Sequence, residues 1–190
     1  ILCIGGTATA QPSFDCSKAS GTVEELICED AELAALDRRL NATYQRAVEV
    51  VQNLDAGADE ALSDLRAFQR GWIKGRDDCW KADDLRSCVE GTYLDREGAL
   101  VAEWMLQEPI AIVSYTCGGT PANEVTAFYF DTELPSIRVE YGDGIKFGSQ
   151  RPAASGSKYG LGFGASFWSK GDEVLFEWVE GDEQSCVSGA

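Results

Sequence analysis

The chain has 190 residues, 44% of them hydrophobic, with 32 acidic and 16 basic side chains for a net charge of −16, and no histidine. That length allows one large domain or two small ones, and the apolar content is enough to bury real cores. The charge argues against a phosphate-tracking nucleic-acid surface and against adhesion to anionic membranes. The missing histidine removes Ser-His-Asp triads, Cys-His pairs and histidine metal sites.

Residues 1–10 read ILCIGGTATA. They are apolar and small, and Ala8-Thr9-Ala10 has the A-x-A form of a cleavage site, so we read them as the tail of a secretory signal outside the fold. Ile1-Leu2 is a poor lipobox, so no lipid anchor on Cys3 is expected. Setting Cys3 aside leaves Cys16, Cys28, Cys79, Cys88, Cys117 and Cys186. An even count behind an export signal implies disulfides and an oxidising compartment, periplasmic or extracellular. The spacings contain no C-x₂-C knuckle, so neither metal nor cofactor is expected. No run approaches the roughly 18–20 continuous apolar residues of a membrane-spanning helix.

Residues 21–107 carry helical spacing. A short helix over residues 23–28 opens after Ser20-Gly21-Thr22, and Thr22 with Glu25 fits a capping box. Leu33, Leu36, Leu40, Tyr44, Ala47 and Val51 then mark one face of a long helix. Residues 53–57 break the pattern. A further helix places Leu62, Leu65, Phe68, Trp72 and Cys79 on one side. The last starts near Asp84 and carries Leu85, Cys88, Thr92, Arg96 and Ala99, extending toward Trp104. Short connections make neighbours antiparallel, giving a small helical hairpin bundle.

Pro109 ends the helical half. Beyond it the runs AIVSYTC, EVTAFYF, IRVEY, SFWS and EVLFEWVE are β-branched and aromatic with partial alternation. Gly142-Asp143-Gly144 and Gly171-Asp172 supply turns. Short strands at roughly ten-residue spacing predict a small antiparallel barrel. The fold class is therefore α+β in two domains, a helical one over residues 11–108 and a barrel over 111–190. Residues 111–190 hold 11 acidic and 5 basic side chains, so the barrel half is itself acidic.

Six cysteines allow 15 pairings. If the halves are independent, Cys117 must pair with Cys186, joining the first strand to the last. In the helical half, Cys28 precedes the first long helix and Cys79 ends the second. An antiparallel hairpin brings those ends together, which favours Cys28–Cys79 and leaves Cys16–Cys88.

The helical half reads FDCSKASGTVEELICEDAELAALDRRLNATY, then FQRGWIKGRDDC, then CVEGTYLDR. Over residues 13–106 it resembles the LprI-type family of bacterial envelope proteins, some linked with lysozyme inhibition. The matching positions include Phe14, Cys16, Cys28, Leu33, Asp37, Tyr44, Gln69, Trp72, Arg76, Asp77, Cys79, Cys88, Tyr93 and Arg96. Read as structure, the cysteines staple, Trp72 and Tyr44 pack, and Arg76 and Asp77 make local polar contacts.

The second half has Tyr115-Thr116-Cys117, then SGSKYG, then FWSKGDE, then Cys186. It resembles the MliC/PliC family of periplasmic or lipid-anchored inhibitors of c-type lysozyme. That resemblance implies an eight-stranded barrel, a Gram-negative envelope setting and two inhibitory segments. Ser155-Gly156-Ser157-Lys158-Tyr159 stands for the SGARY loop, with Lys158 and Ser157 in place of Arg and Ala. Phe167-Trp168-Ser169-Lys170-Gly171-Asp172-Glu173 stands for the FWxKG segment. The resemblance thus implies that Ser155, Gly156, Lys158, Tyr159, Trp168, Lys170, Gly171 and Asp172 form the lysozyme-binding surface. It further implies that Ser155 and Lys170 enter the lysozyme cleft and that Tyr159 braces the loop. On residue type alone Phe167 and Trp168 read as core.

Two other readings compete with this one. One is a wall-degrading enzyme using acids such as Asp172 and Glu173, which adjacency in sequence does not place around a sugar. The other is an envelope adaptor whose helical half binds a different protein. The inhibitor reading uses the export signal, the disulfides, the acidity and both resemblances, and expects no enzymatic activity.

Overall fold

A computed structural model of the chain describes residues 11–120 and 122–189. The signal-tail reading of residues 1–10 and the expectation for Cys3 lie outside the described residues. The described residues form two compact units, one up to Tyr93 and one from Leu94.

The first unit opens with a 3₁₀ turn, Cys16–Lys18, followed by α1 (Thr22–Glu29), α2 (Ala31–Gln52), α3 (Ala58–Asp77), a second 3₁₀ turn (Asp78–Lys81) and the start of α4 (Leu85–Trp104). Asp30 caps α2 by accepting from the N–H groups of Glu32 and Leu33. Asp84 does the same for Ser87 at the start of α4. The expected Thr22/Glu25 capping box does not form. α1 starts at Thr22, so Gly21 occupies the cap position without a side-chain bond. Glu24, not Glu25, reaches back, to the Ser20 N–H at 2.8 Å.

The buried stripe of α2 runs through Leu33, Leu40, Ala47 and Val51 as predicted. Leu36 and Tyr44 are only half-buried, and Ala34, Asp37 and Thr43 take the inner positions. On α3, Leu65 is buried but Phe68 is 64% exposed, and Cys79 lies past the helix in the 3₁₀ turn. On α4 the buried residues include Val89, Tyr93, Leu100, Val101 and Ala102, and Val89, Tyr93 and Leu100 take the places expected for Cys88, Thr92 and Ala99. That offset of one residue is about 100° around the helix.

The disulfides in this unit correct the predicted pairing. Cys16 bonds to Cys28 and Cys79 to Cys88, with Cα separations of 5.9 and 5.7 Å. Each pair closes a local reversal: Cys16 in its 3₁₀ turn folds back onto α1, and Cys79 in the second turn folds back onto the first turn of α4. The staples close loops of 12 and 9 residues, worth about 3 kcal/mol each in the chain-entropy model. Cys28 and Cys79 both have these nearer partners, so the two are not bonded to each other.

The second unit is a closed antiparallel barrel of eight strands, each paired with its neighbours in sequence and β8 with β1. The strands are β1 (Ala111–Cys117), β2 (Glu124–Phe130), β3 (Ser136–Tyr141), β4 (Gly144–Arg151), β5 (Ser157–Gly160), β6 (Ser166–Lys170), β7 (Glu173–Glu177) and β8 (Glu183–Ser188). Val125, Ala127, Ile137, Val139, Phe167 and Phe176 are fully enclosed in its core. Cys117 bonds to Cys186 as expected, from directly opposed positions on β1 and β8. This closes the barrel seam covalently across 69 residues, worth about 4 kcal/mol. The predicted turns at Gly142 and Gly171 hold, with φ of 57° and 62°. Residues 94–104 of α4 belong to this unit. Gly98 lies against β3 and β4 so closely that a Cβ would come 3.0 Å from Ser136 Cβ and Ser149 Oγ.

Candidate functional site

β5 and β6 form one hairpin, with Ser157 opposite Ser169, Lys158 opposite Trp168 and Tyr159 opposite Phe167. Strand alternation sends Tyr159 and Phe167 inward and Lys158 and Trp168 outward. Phe167 is fully buried and Tyr159 is 6% exposed, its ring packing edge-on to Tyr129. Burial raises the Tyr159 pKa above its ordinary value. Tyr159 therefore belongs to the barrel core, with little of its side chain at the surface. Trp168 is half-buried on the outer face, so the core reading holds for Phe167 and fails for Trp168.

Trp168 organises that outer face. Its Nε1–H donates to the Ser155 carbonyl oxygen at 2.8 Å, tying the loop before β5 to β6. Its ring carries two cations, Lys170 Nζ at 3.6 Å and Lys158 Nζ at 5.5 Å from the centroid. Ser169 Oγ donates to the Ser157 carbonyl at 3.3 Å. Gly156 has φ of 68°, and a Cβ there would come 2.1 Å from the Ser169 carbonyl oxygen and 2.8 Å from Lys170 Cγ. Only glycine permits that approach. The loop of the first motif thus rests on the strand end of the second. Ser155, Gly156, Lys170, Gly171 and Asp172 are all exposed there. The turn residue Asp172 accepts the Ser188 N–H through its backbone carbonyl at 2.8 Å.

The helical unit holds a second cluster. Arg76 donates to Asp77 Oδ1 from Nε and Nη2 at 3.0 and 2.7 Å, the local contact expected from sequence. It also donates from Nη1 to the Tyr93 hydroxyl at 3.0 Å, and Tyr93 donates to Asp37 Oδ1 at 2.7 Å. This chain of bonds was not read from sequence. The signal for it is Asp37 and Thr43 interrupting the apolar face of α2. Trp72 packs edge-on to Tyr93 with centroids 5.2 Å apart. Among the described residues no group of His, Cys, Asp or Glu is placed to hold a metal ion, and no helix is long and apolar enough to cross a membrane.

A small disulfide-closed barrel presenting two motif segments at one end, in a chain with a disulfide-stapled helical unit, has the two-part build that the lysozyme-inhibitor families resembled in sequence imply. Residues 115–185 match the family of membrane-bound lysozyme inhibitors of c-type lysozyme, MliC, and residues 16–108 match lysozyme inhibitor LprI. The two matches lie one in each half of the chain and together cover most of it. It is 28% identical over 172 residues to lipoprotein LprI of Mycobacterium tuberculosis and of Mycobacterium bovis, covering 90% of this chain and 81% of each relative. An uncharacterized protein of Rhizobium meliloti is 38% identical over 85 residues, covering 40% of this chain and 61% of that relative.

Proposed function

We propose that the protein is an exported, envelope-located inhibitor of c-type lysozyme that blocks the enzyme's cleft with the Ser155 loop and the Lys170 hairpin. It acts by binding and catalyses nothing. The observation that carries the reading is the seating of Gly156 on Ser169 and Lys170, with Trp168 holding the Ser155 carbonyl. It makes one surface out of two segments that carry the inhibitor-family motifs. The binding surface falls within residues 111–190, the barrel domain.

Lysozyme cleaves glycosides with two carboxyl groups flanking the bond, one protonated and one ionised. Lys170 supplies an ammonium with three donors, suited to the ionised carboxylate. The Ser155 hydroxyl can donate or accept, so it suits the protonated acid. Lys158 provides a second cation on the same tryptophan face. As an ammonium it replaces the bidentate fork of an arginine with a point charge. Trp168 holds the Lys170 ammonium against its ring in the free protein, which limits the side-chain entropy lost when that lysine is inserted.

Inhibition constants measured beside thermal melts test this. Lys170→Ala is expected to weaken inhibition by roughly 2–5 kcal/mol, the cost of truncating one partner of a buried charge pair. Ser155→Ala is expected to cost roughly 1–3 kcal/mol. Both side chains are exposed, so both variants keep the wild-type melting temperature. A folded double variant that inhibits like wild type places the surface elsewhere.

A further inference from the structure

The helical unit contains a cleft of about 290 Å³ that the barrel surface does not use. Phe14 of the N-terminal arm, Glu24 of α1, Asp37 and Tyr44 of α2, and Trp72 and Arg76 of α3 contribute to its walls. Two of these groups are charged and buried, Arg76 at 4% and Asp37 at 7% exposure. Tyr93 joins them, and the direction of the chain is forced. A guanidinium only donates, so the Tyr93 oxygen accepts from Arg76 and its single proton goes to Asp37. Burial raises the Tyr93 pKa, which keeps that proton in place at neutral pH. Asp37 Oδ2 accepts the Ser13 N–H at 2.6 Å.

The charges in the cleft do not cancel. Arg76 is matched by Asp77, which takes two of its N–H groups. Asp37 is bonded by two neutral donors, the Tyr93 hydroxyl and the Ser13 amide. Each of its carboxylate oxygens has a second lone pair. Glu24 adds a further carboxylate, with one oxygen on the Ser20 N–H. A buried carboxylate bonded by neutral donors gains from a cation brought to it. The rings of Tyr44, Trp72 and Phe14 offer apolar surface to an alkyl stem.

We propose that this cleft is a binding site for one lysine or arginine side chain presented by a partner protein. Its charged head pairs with Asp37 and Glu24, and its stem lies along the aromatic walls. The net negative charge of the cleft selects a cation over a carboxylate. The volume admits a single extended side chain, so the site reads a protruding basic residue. The proposal does not depend on the barrel surface. Its failure and the failure of that reading are separable.

The test uses the whole chain, ¹⁵N-labelled, with N-acetyl-arginine amide and N-acetyl-lysine amide as cationic probes and N-acetyl-citrulline amide as the neutral isostere. The reporter is the Trp72 indole N–H, which donates to the Thr92 carbonyl at 3.2 Å, assigned by its loss in Trp72→Phe. A saturable shift is expected with a cationic probe, about tenfold weaker with citrulline, as one charge-assisted contact implies. Glu24→Gln should weaken the response. Ile73→Trp, which adds bulk at an exposed lining position and removes none of the Asp37–Tyr93–Arg76 groups, should abolish it. Asp37→Asn keeps an acceptor for Tyr93 and should also abolish it; if that variant does not fold, the other two decide. Lys170→Ala should bind the probes as wild type does. Equal binding of citrulline, undiminished binding in Ile73→Trp, or no saturation at the solubility limit of the cationic probes would overturn the proposal.

Discussion

Gly156 and Asp30 show how single residues set the two halves. At Gly156 the left-handed backbone and the 2.1 Å approach to the Ser169 carbonyl leave no room for a methyl group. Gly156→Ala must lift the loop off β6 and break the bond from Trp168 to the Ser155 carbonyl. Inhibition is expected to fall at least as far as in Ser155→Ala. The melt should change by only about 1 kcal/mol, the usual scale of a strained surface glycine replacement. Similar losses in inhibition and in stability would mean that the loop supports the barrel instead. Asp30 caps α2 and accepts from Arg86 Nε at 2.8 Å. The Leu33 N–H first, and the Arg86 hydrogen bond with it, hold its carboxyl below the ordinary value of 3.8. A folded-state pKa that is depressed adds stability above the ordinary value and loses it as pH falls through the lowered one. Asp30→Ala should therefore cost roughly 1–2 kcal/mol at neutral pH, the capping range. The gap to wild type should close in melts taken well below pH 3.8. A gap that persists in acid would assign the cost to lost packing.

Among the elements, α4 is the one whose role runs against its sequence. Pro109 suggests a clean boundary, yet residues 94–104 pack within the barrel unit. Arg138 of β3 donates to the Glu103 carbonyl at 2.7 Å, and Arg151 of β4 forks onto both oxygens of Asp95 at 3.0 Å. A fragment beginning at residue 94 should thus be more stable than one beginning at 111. The lost acceptor of Arg138 alone implies roughly 2–3 kcal/mol. Denaturant titration of the two fragments checks this, and equal stabilities would show that the helix segment adds nothing. The same contacts explain what was legible. β1, β2, β3, β6 and β7 stand out because β-branched and aromatic residues alternate there. β4 contains Gly144 and Gly148 among Lys146, Gln150 and Arg151, and β8 reads EQSCVS. Neither has the apolar rhythm of a strand, and each is held by ladders to both neighbours. The helical disulfides were misread for a related reason. Hairpin geometry describes the long helices, while both bonds form across short 3₁₀ reversals that carry no periodic signal.

At the scale of the whole molecule, the two motif segments of the barrel were legible from residue type and order. Their meeting through Gly156 and Trp168 depends on the β5–β6 register, which spacing alone does not fix. The net charge of −16 was legible from the start, and it acts at a different range from the site. The proposed inhibitory surface is locally basic, with Lys158 and Lys170 on one tryptophan ring, although the molecule as a whole is acidic. In the proposed complex those lysines would act at contact distance on the enzyme's carboxyl groups, while the acidic side chains would act at long range on a basic lysozyme and govern encounter. The screening length falls from about 10 Å at 0.1 M salt to about 3 Å at 1 M, so the long-range part is lost first. The association rate with a c-type lysozyme should fall steeply over that interval, by roughly tenfold or more, while dissociation changes little. Lys170→Ala should raise the dissociation rate and leave the salt slope of association nearly unchanged, because it removes one charge from a large field. Stopped-flow association across a salt series reads both quantities. A salt-independent association rate would remove steering from the account. A slope abolished by Lys170→Ala alone would place the long-range attraction in the hairpin and not in the acidic body of the protein.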